Sequence, residues 1–103
     1  MNTDLTDCLT IVASHFGRVV STGIPSGDSK KYCFSFADSK FQNYICSVEY
    51  LDNKINVFFF LDVVVLHGID GSKKDVKNAL MMEKKLYRLG GELMAAGHSV
   101  KYV

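Results

Sequence analysis

The chain has 103 residues, of which 48% are hydrophobic and 22% are charged, and its net charge is +1. These values fit one globular domain, residues 1–103, with a core large enough to need neither metal nor disulfide. The near-neutral charge lacks the basic excess with which proteins hold nucleic acid or anionic lipid, so neither is expected as a partner.

The first predicted element is a helix over about 4–16. Leu5, Leu9, Val12 and Phe16 recur at helical spacing and form one apolar stripe. A short strand is predicted over 18–24, followed by a turn that contains Pro25 and Gly27.

The next predicted elements are strands over 31–37 and 43–51. Asp52 and Asn53 form a two-residue loop that tolerates positive φ, so the strand 43–51 is expected to form a hairpin with the segment that follows. Pairing around this loop places Cys46, Val48 and Tyr50 opposite Phe59, Val57 and Ile55 on one apolar inner face. The register of 31–37 stays open. We favour Tyr32, Phe34 and Phe36 on the inner face, since a shift of one residue would reverse every side chain.

The segment INVFFFLDVVVLHG, 55–68, is predicted to be the fourth strand. It is too short to cross a bilayer as a helix, which needs about 20 residues. Its outer side, together with the neighbouring strand, carries an apolar group with one carboxylate. These candidate partner-binding residues are Ile45, Phe58, Phe60, Asp62 and Val64.

Two arrangements of this outer side remain open. In one, a helix covers each face of the sheet and nothing is left exposed. In the other, both helices pack on the inner face and leave the outer group for a second chain, since apolar patches with a polar rim mark interaction sites. Polar residues such as Asn56 and Asp62 frame the group, and burying them under a helix without hydrogen-bond partners would be costly. We therefore favour the exposed arrangement.

The last predicted helix covers 73–96. A short fifth strand near the C-terminus is a further option. One seam of apolar residues is expected to pack on the sheet: Ala79, Met82, Leu86, Leu89, Leu93 and Ala96. Ser72 can cap this helix. Gly90 and Gly91 predict either a break in the helix or the close approach of a neighbouring backbone.

Residue patterns for chemistry are sparse. Three cysteines and three histidines show no metal-ligand spacing, and no nucleophile motif or phosphate-binding loop is present. We therefore expect no cofactor, no metal site, no catalytic residues and no enzymatic activity. An odd number of cysteines at irregular spacing, and an N-terminus unlike a signal peptide, favour the cytoplasm.

The sequence thus predicts an α+β domain: a four-stranded antiparallel meander flanked by an N-terminal and a C-terminal helix. The predicted function is non-enzymatic protein binding, as a small inhibitor, adaptor or secretion-type chaperone. The partner is expected to be another protein chain, foreign or a second copy in a homodimer. The alternative is a small-ligand binder or enzyme with a pocket between sheet and helices, using Tyr44, Tyr50, Asp62 and His67.

Overall fold

The computed structural model describes residues 3–16, 18–22, 32–38, 40–41 and 44–103. The predicted turn at Pro25 and Gly27 lies outside these residues. The described elements are, in chain order, α1 (Thr3–His15), β1 (Arg18–Thr22), β2 (Tyr32–Ala37), β3 (Cys46–Leu51), β4 (Lys54–Phe59), α2 (Leu61–Ile69), α3 (Lys73–Ala95) and β5 (Ser99–Tyr102). The predicted α+β class is confirmed. None of the helices in this part of the chain is long and apolar enough to cross a membrane.

The β3–β4 hairpin forms in the predicted register. Asp52 and Asn53 have φ values of 51° and 62°, the left-handed conformation that a two-residue hairpin turn requires. Val48 pairs with Val57, and Cys46 pairs with Phe59. The favoured register of β2 is confirmed as well, since its aromatic residues pair with the inner-face residues of β3.

The segment 55–68 is not one strand, which corrects the sequence prediction. β4 ends at Phe59, and the second half of the segment forms α2. The three consecutive valines, Val63 to Val65, favour a strand by propensity, but tertiary contacts override that preference. Val64 and Gly68 are buried in α2, which packs on α3. A helix can present this apolar side to α3, whereas a longer strand would leave part of it exposed.

The sheet is mixed rather than purely antiparallel, a second correction. Its strand order is β1-β2-β3-β4-β5, and β5 pairs with β4 in parallel. The helix order also differs from the prediction, because two helices instead of one follow β4. This pair of helices forms the crossover that returns the chain in the direction of β4, as parallel pairing requires.

The core lies on one side of the sheet. Its buried residues among the described part of the chain come from α1, α2, α3, the inner face of the sheet and the chain around β2 and β3: Leu5, Cys8, Val12, Phe16, Phe36, Phe41, Ile45, Cys46, Val48, Val57, Phe59, Val64, Ala79, Met82, Leu86, Leu89 and Leu93. The predicted seam of the last helix is therefore confirmed from Ala79 to Leu93, whereas Ala96 is exposed. Of the two arrangements considered for the helices, the described residues show α1 and α3 together on the inner face.

The glycine pair does not break α3. Gly90 is buried, and a Cβ atom built there would overlap the hydroxyl of Tyr102 in β5. The Tyr102 hydroxyl donates a hydrogen bond to the Leu86 carbonyl at 3.3 Å. Gly91 has no such neighbour within 4 Å. The glycine pair predicted the close approach of a neighbouring backbone. The structure shows instead a side chain, Tyr102, and it approaches Gly90 only.

Replacing each glycine by alanine should change the stability of the protein in opposite directions at the two positions. Gly91→Ala should stabilise the protein by up to about 1 kcal/mol, since alanine is the better helix former. Gly90→Ala should instead destabilise it by about 1–3 kcal/mol, because the ring of Tyr102 must move and loses its hydrogen bond. Urea unfolding measures both. Equal effects of the two substitutions would contradict the contact.

Two of the three cysteines are enclosed between α1 and the sheet. Burial raises the pKa of the Cys8 thiol to about 11. The pKa of the Cys46 thiol is raised as well, first by burial and then by its neighbour Cys8. Cys33 lies half-buried on the outer face, where its sulfur is 3.1 Å from the Ser47 hydroxyl oxygen.

A thiol reagent should therefore distinguish the three cysteines at pH 8. In the folded protein we expect Cys33 to react first, while Cys8 and Cys46 stay unmodified because they are buried and protonated. All three should react in denaturant. Mass spectrometry of the labelled peptides identifies the sites, and rapid labelling of Cys8 before unfolding would argue against this packing.

Candidate interaction surface

The five predicted partner-binding residues do not share one surface. Ile45 and Val64 are almost wholly buried, with 0% and 1% of their surface exposed. Phe58 is half-buried on the outer face of the sheet, near the Lys101 ammonium group at 6.0 Å from the ring centre. Phe60 is half-buried at the start of α2, and Asp62 is exposed on that helix. The prediction assumed a single long strand, and the change to a helix after Phe59 separates these side chains.

The outer face of the sheet is mainly polar. Its paired positions on the central strands are occupied by Ser35 with Ser47, and by Glu49 with Asn56. Leu51 and Phe58, both half-buried, are the large apolar side chains among the described outer-face residues of β2, β3, β4 and β5. A partner that needs apolar surface therefore finds little of it there.

The four residues of the alternative pocket are also dispersed. Tyr44 and Tyr50 flank opposite ends of β3, about 20 Å apart at the rise of an extended strand. The Tyr50 hydroxyl donates a hydrogen bond to Asn53 at 2.9 Å, in the hairpin turn. His67 faces Asp75 on α3, whereas Asp62 is exposed. The described geometry does not gather them around one cavity.

A contiguous exposed apolar surface lies between α2 and α3. We name it the α2–α3 groove; its volume is about 530 Å³, and it is lined by Val64, Val65, Gly68, Ile69, Val76, Ala79, Leu80 and Glu83. Val64, Gly68 and Ala79 are buried and form its floor. The walls are exposed: 71% of Ile69 and 55% of Leu80 face solvent, and Val65 and Val76 are more than 40% exposed.

A close contact of the two helices forms the floor of the groove. A Cβ atom built on Gly68 would lie 3.0 Å from the Ala79 Cβ, tighter than most real contacts. Small residues at this crossing let the backbones approach, so the larger side chains on either side stand apart as walls. The groove is thus built on paired helices rather than on a loop.

A polar cluster fixes the turn between the two helices. Ser72 caps α3: the Asp75 amide donates to the Ser72 hydroxyl, and the Ser72 amide donates to the Asp75 carboxylate at 2.9 Å. This capping box confirms the predicted cap. His67 Nε2 lies 3.2 Å from Asp75 Oδ1, within ion-pair distance but without the alignment of a hydrogen bond. The His67 ring also contacts the ring of Phe41, with centroids 4.5 Å apart.

The cluster does not form a catalytic arrangement. The Ser72 hydroxyl is engaged with Asp75 as a helix cap, and the carboxylate stands between the hydroxyl and the imidazole. A Ser-His-Asp triad needs the imidazole in the middle, where it can take the proton of the hydroxyl. Among the described residues, no group of three or more His, Cys, Asp or Glu side chains could hold a metal ion.

Charge is distributed unequally across the groove. On the exposed side of α2, Asp62 lies seven residues before Ile69 and hence on the same side, whereas Asp70 follows the helix and lines a separate cleft with His67 and Asp75. On α3, the exposed residues Lys73, Lys77 and Lys84 are seven residues before, three before and four after Leu80, which places them beside it. We call the Asp62 side of the groove the acidic bank, and the side with the three lysines the basic bank.

This groove was not predicted from the sequence, although a signal for it is present. Besides the predicted seam, α3 carries a second set of apolar residues, which recurs at spacings compatible with a heptad: Val76, Leu80, Tyr87 and Met94. All four are more than 40% exposed. The α2 wall could not be found in the same way, because the segment was predicted to be a strand.

No protein-family model matches the chain, and comparison with curated proteins and with solved structures gives no significant match.

The capping box leads to a prediction about pH. Hydrogen bonds from Ser72, its amide first and its hydroxyl second, lower the pKa of Asp75. A carboxylate with a lowered pKa in the folded state contributes stability above its unfolded pKa, about 4, and loses it as the pH falls through the folded value. Asp75→Asn should therefore destabilise the protein at pH 7 but have little effect near pH 2.

Urea unfolding at both pH values, at one fixed low protein concentration, measures this difference. Asp52→Asn is the matched control, because Asp52 is exposed in a hairpin turn where asparagine also accepts positive φ. A destabilisation by Asp75→Asn that is the same at both pH values would contradict the role of the carboxylate.

Proposed function

We propose that the chain is a non-enzymatic protein-binding module and that its binding surface is the α2–α3 groove. The observation that carries the proposal is the exposure of Ile69 and Leu80 above a buried floor of small and branched side chains. Exposed apolar surface that is contiguous and bordered by charged residues is typical of a protein interaction site. An adaptor, a chaperone or an inhibitor could each use it.

The shape of the groove favours a helical segment as its occupant. Its two walls run along neighbouring helices joined by the short turn at 70–72. An amphipathic helix laid between such walls buries side chains at every third or fourth position, a recurrent mode of recognition between proteins. Since the floor is already buried, most of the binding energy would come from covering the walls.

The alternative, a small-ligand binder or enzyme, receives less support. Pockets for small molecules usually enclose a ligand and bring a few polar groups together inside. The α2–α3 groove is an open cleft with Glu83 as its one ionisable lining residue. The contact between His67 and Asp75 is accounted for by the packing of α2 on the capped start of α3.

Photo-crosslinking in the cells that naturally make the protein tests the proposal. A benzoylphenylalanine placed at Leu80 should crosslink to a polypeptide, because that wall would be in contact with the partner. The same residue at Tyr44 is the control, since Tyr44 is exposed to a similar extent but lies before β3, away from the groove. No crosslink from Leu80, or equal crosslinking from Tyr44, would contradict the proposed surface.

Polar substitution then shows whether the apolar walls matter. Ile69→Gln together with Leu80→Gln should reduce crosslinking from a probe at Val76 by about tenfold or more, since two walls lose their apolar contact. The thermal unfolding temperature should change little, because both side chains are exposed. Met94→Gln on the same helix, 14 residues beyond Leu80, is the control and should leave the crosslink intact.

A further inference from the structure

The distribution of charge around the α2–α3 groove narrows the kind of partner that fits it. The acidic bank on α2 carries the carboxylate of Asp62, and the exposed side of this helix holds no lysine or arginine. The basic bank on α3 carries three lysines, partly offset by Glu83 in the groove. Between them lie the apolar walls. From one side to the other, the surface therefore presents the acidic bank, the apolar walls and the basic bank.

Such a surface is complementary to itself. A two-fold rotation axis through the groove places α2 of one copy against α3 of the other, and does so twice. Each acidic bank then faces a basic bank, while Ile69 and Leu80 of both copies meet near the axis. The two helix pairs become a four-helix layer with the sheets outside, a packing common to helical dimers.

Other pairings of the same helices are disfavoured by charge. If α2 packed on α2 of the second copy, the Asp62 carboxylates of the two copies would face each other. If α3 packed on α3, the lysines of the basic bank would face one another across the walls. Like charges brought together at an interface weaken the complex and select against that geometry.

We propose that the occupant of the α2–α3 groove is a second copy of this chain, bound in a two-fold symmetric dimer with α2 of each copy on α3 of the other. This inference rests on the proposed function of the groove and specifies its partner. The apolar walls supply the buried area, and the two banks fix the orientation. Sequence segments elsewhere in the chain need not take part.

Charge reversal tests the dimer with an internal rescue. One variant carries Asp62→Lys, and a second carries Lys77→Glu with Lys84→Glu. Each should dimerise at least about tenfold more weakly than the unchanged chain, because both banks in its homodimer have the same sign. Mixed in equal amounts, the two variants should form a heterodimer with regained affinity, since opposite signs then meet at every contact.

Sedimentation equilibrium over a range of protein concentrations measures each dissociation constant, and circular dichroism verifies folding. Asp7→Lys with Lys54→Glu is the control, because both side chains are exposed and lie outside the groove; it should dimerise like the unchanged chain. A monomeric unchanged chain at high concentration, unaffected charge variants, or a mixture that stays monomeric would each overturn the dimer.

The two proposals can fail separately. If the unchanged chain is monomeric but a probe at Leu80 crosslinks to a foreign protein, the second copy is excluded and the binding module stands. If the probe crosslinks to no polypeptide, including another copy, then both proposals fail.

Discussion

The contact between α2 and α3 at Gly68 and Ala79 is the constraint on which the rest of the structure depends. It lets two helix backbones approach closely, and that approach gives Val64 a buried position. A segment of branched apolar residues can then be helical rather than extended, because the packing energy exceeds its modest preference for a strand. The same contact separates the wall residues and so forms the groove.

The two helices also determine the topology of the sheet. Since they occupy the connection between β4 and β5, the chain returns in the direction of β4 and pairs with it in parallel. Gly90 allows Tyr102 to lie against α3, and the Tyr102 hydroxyl is bonded to the Leu86 carbonyl. A strand of four residues is therefore held on two sides, by hydrogen bonds to β4 and by side-chain packing on α3.

The position of the exposed apolar surface has a functional consequence. Apolar walls carried by paired helices are more rigid than the same residues on a loop, so the walls themselves would lose less conformational entropy when a partner binds. The sheet instead uses its inner face for the core, and its outer face is mainly polar. The side of the helices that packs on the sheet therefore stabilises the fold, and the exposed side carries the proposed binding surface.

Local patterns determined much of this protein from the sequence alone. The Asp52-Asn53 turn set the hairpin register, alternation set the faces of β2 to β4, and one seam with a Ser72 cap defined α3, because each depends on neighbouring residues. The end of β4 at Phe59 could not be predicted, since Val63 to Val65 by themselves suit a strand at least as well as the helix that they form. Their packing on α3, a contact between segments apart in sequence, decided the matter. The parallel β5 and the groove follow from that contact, and so were decided only by the tertiary structure.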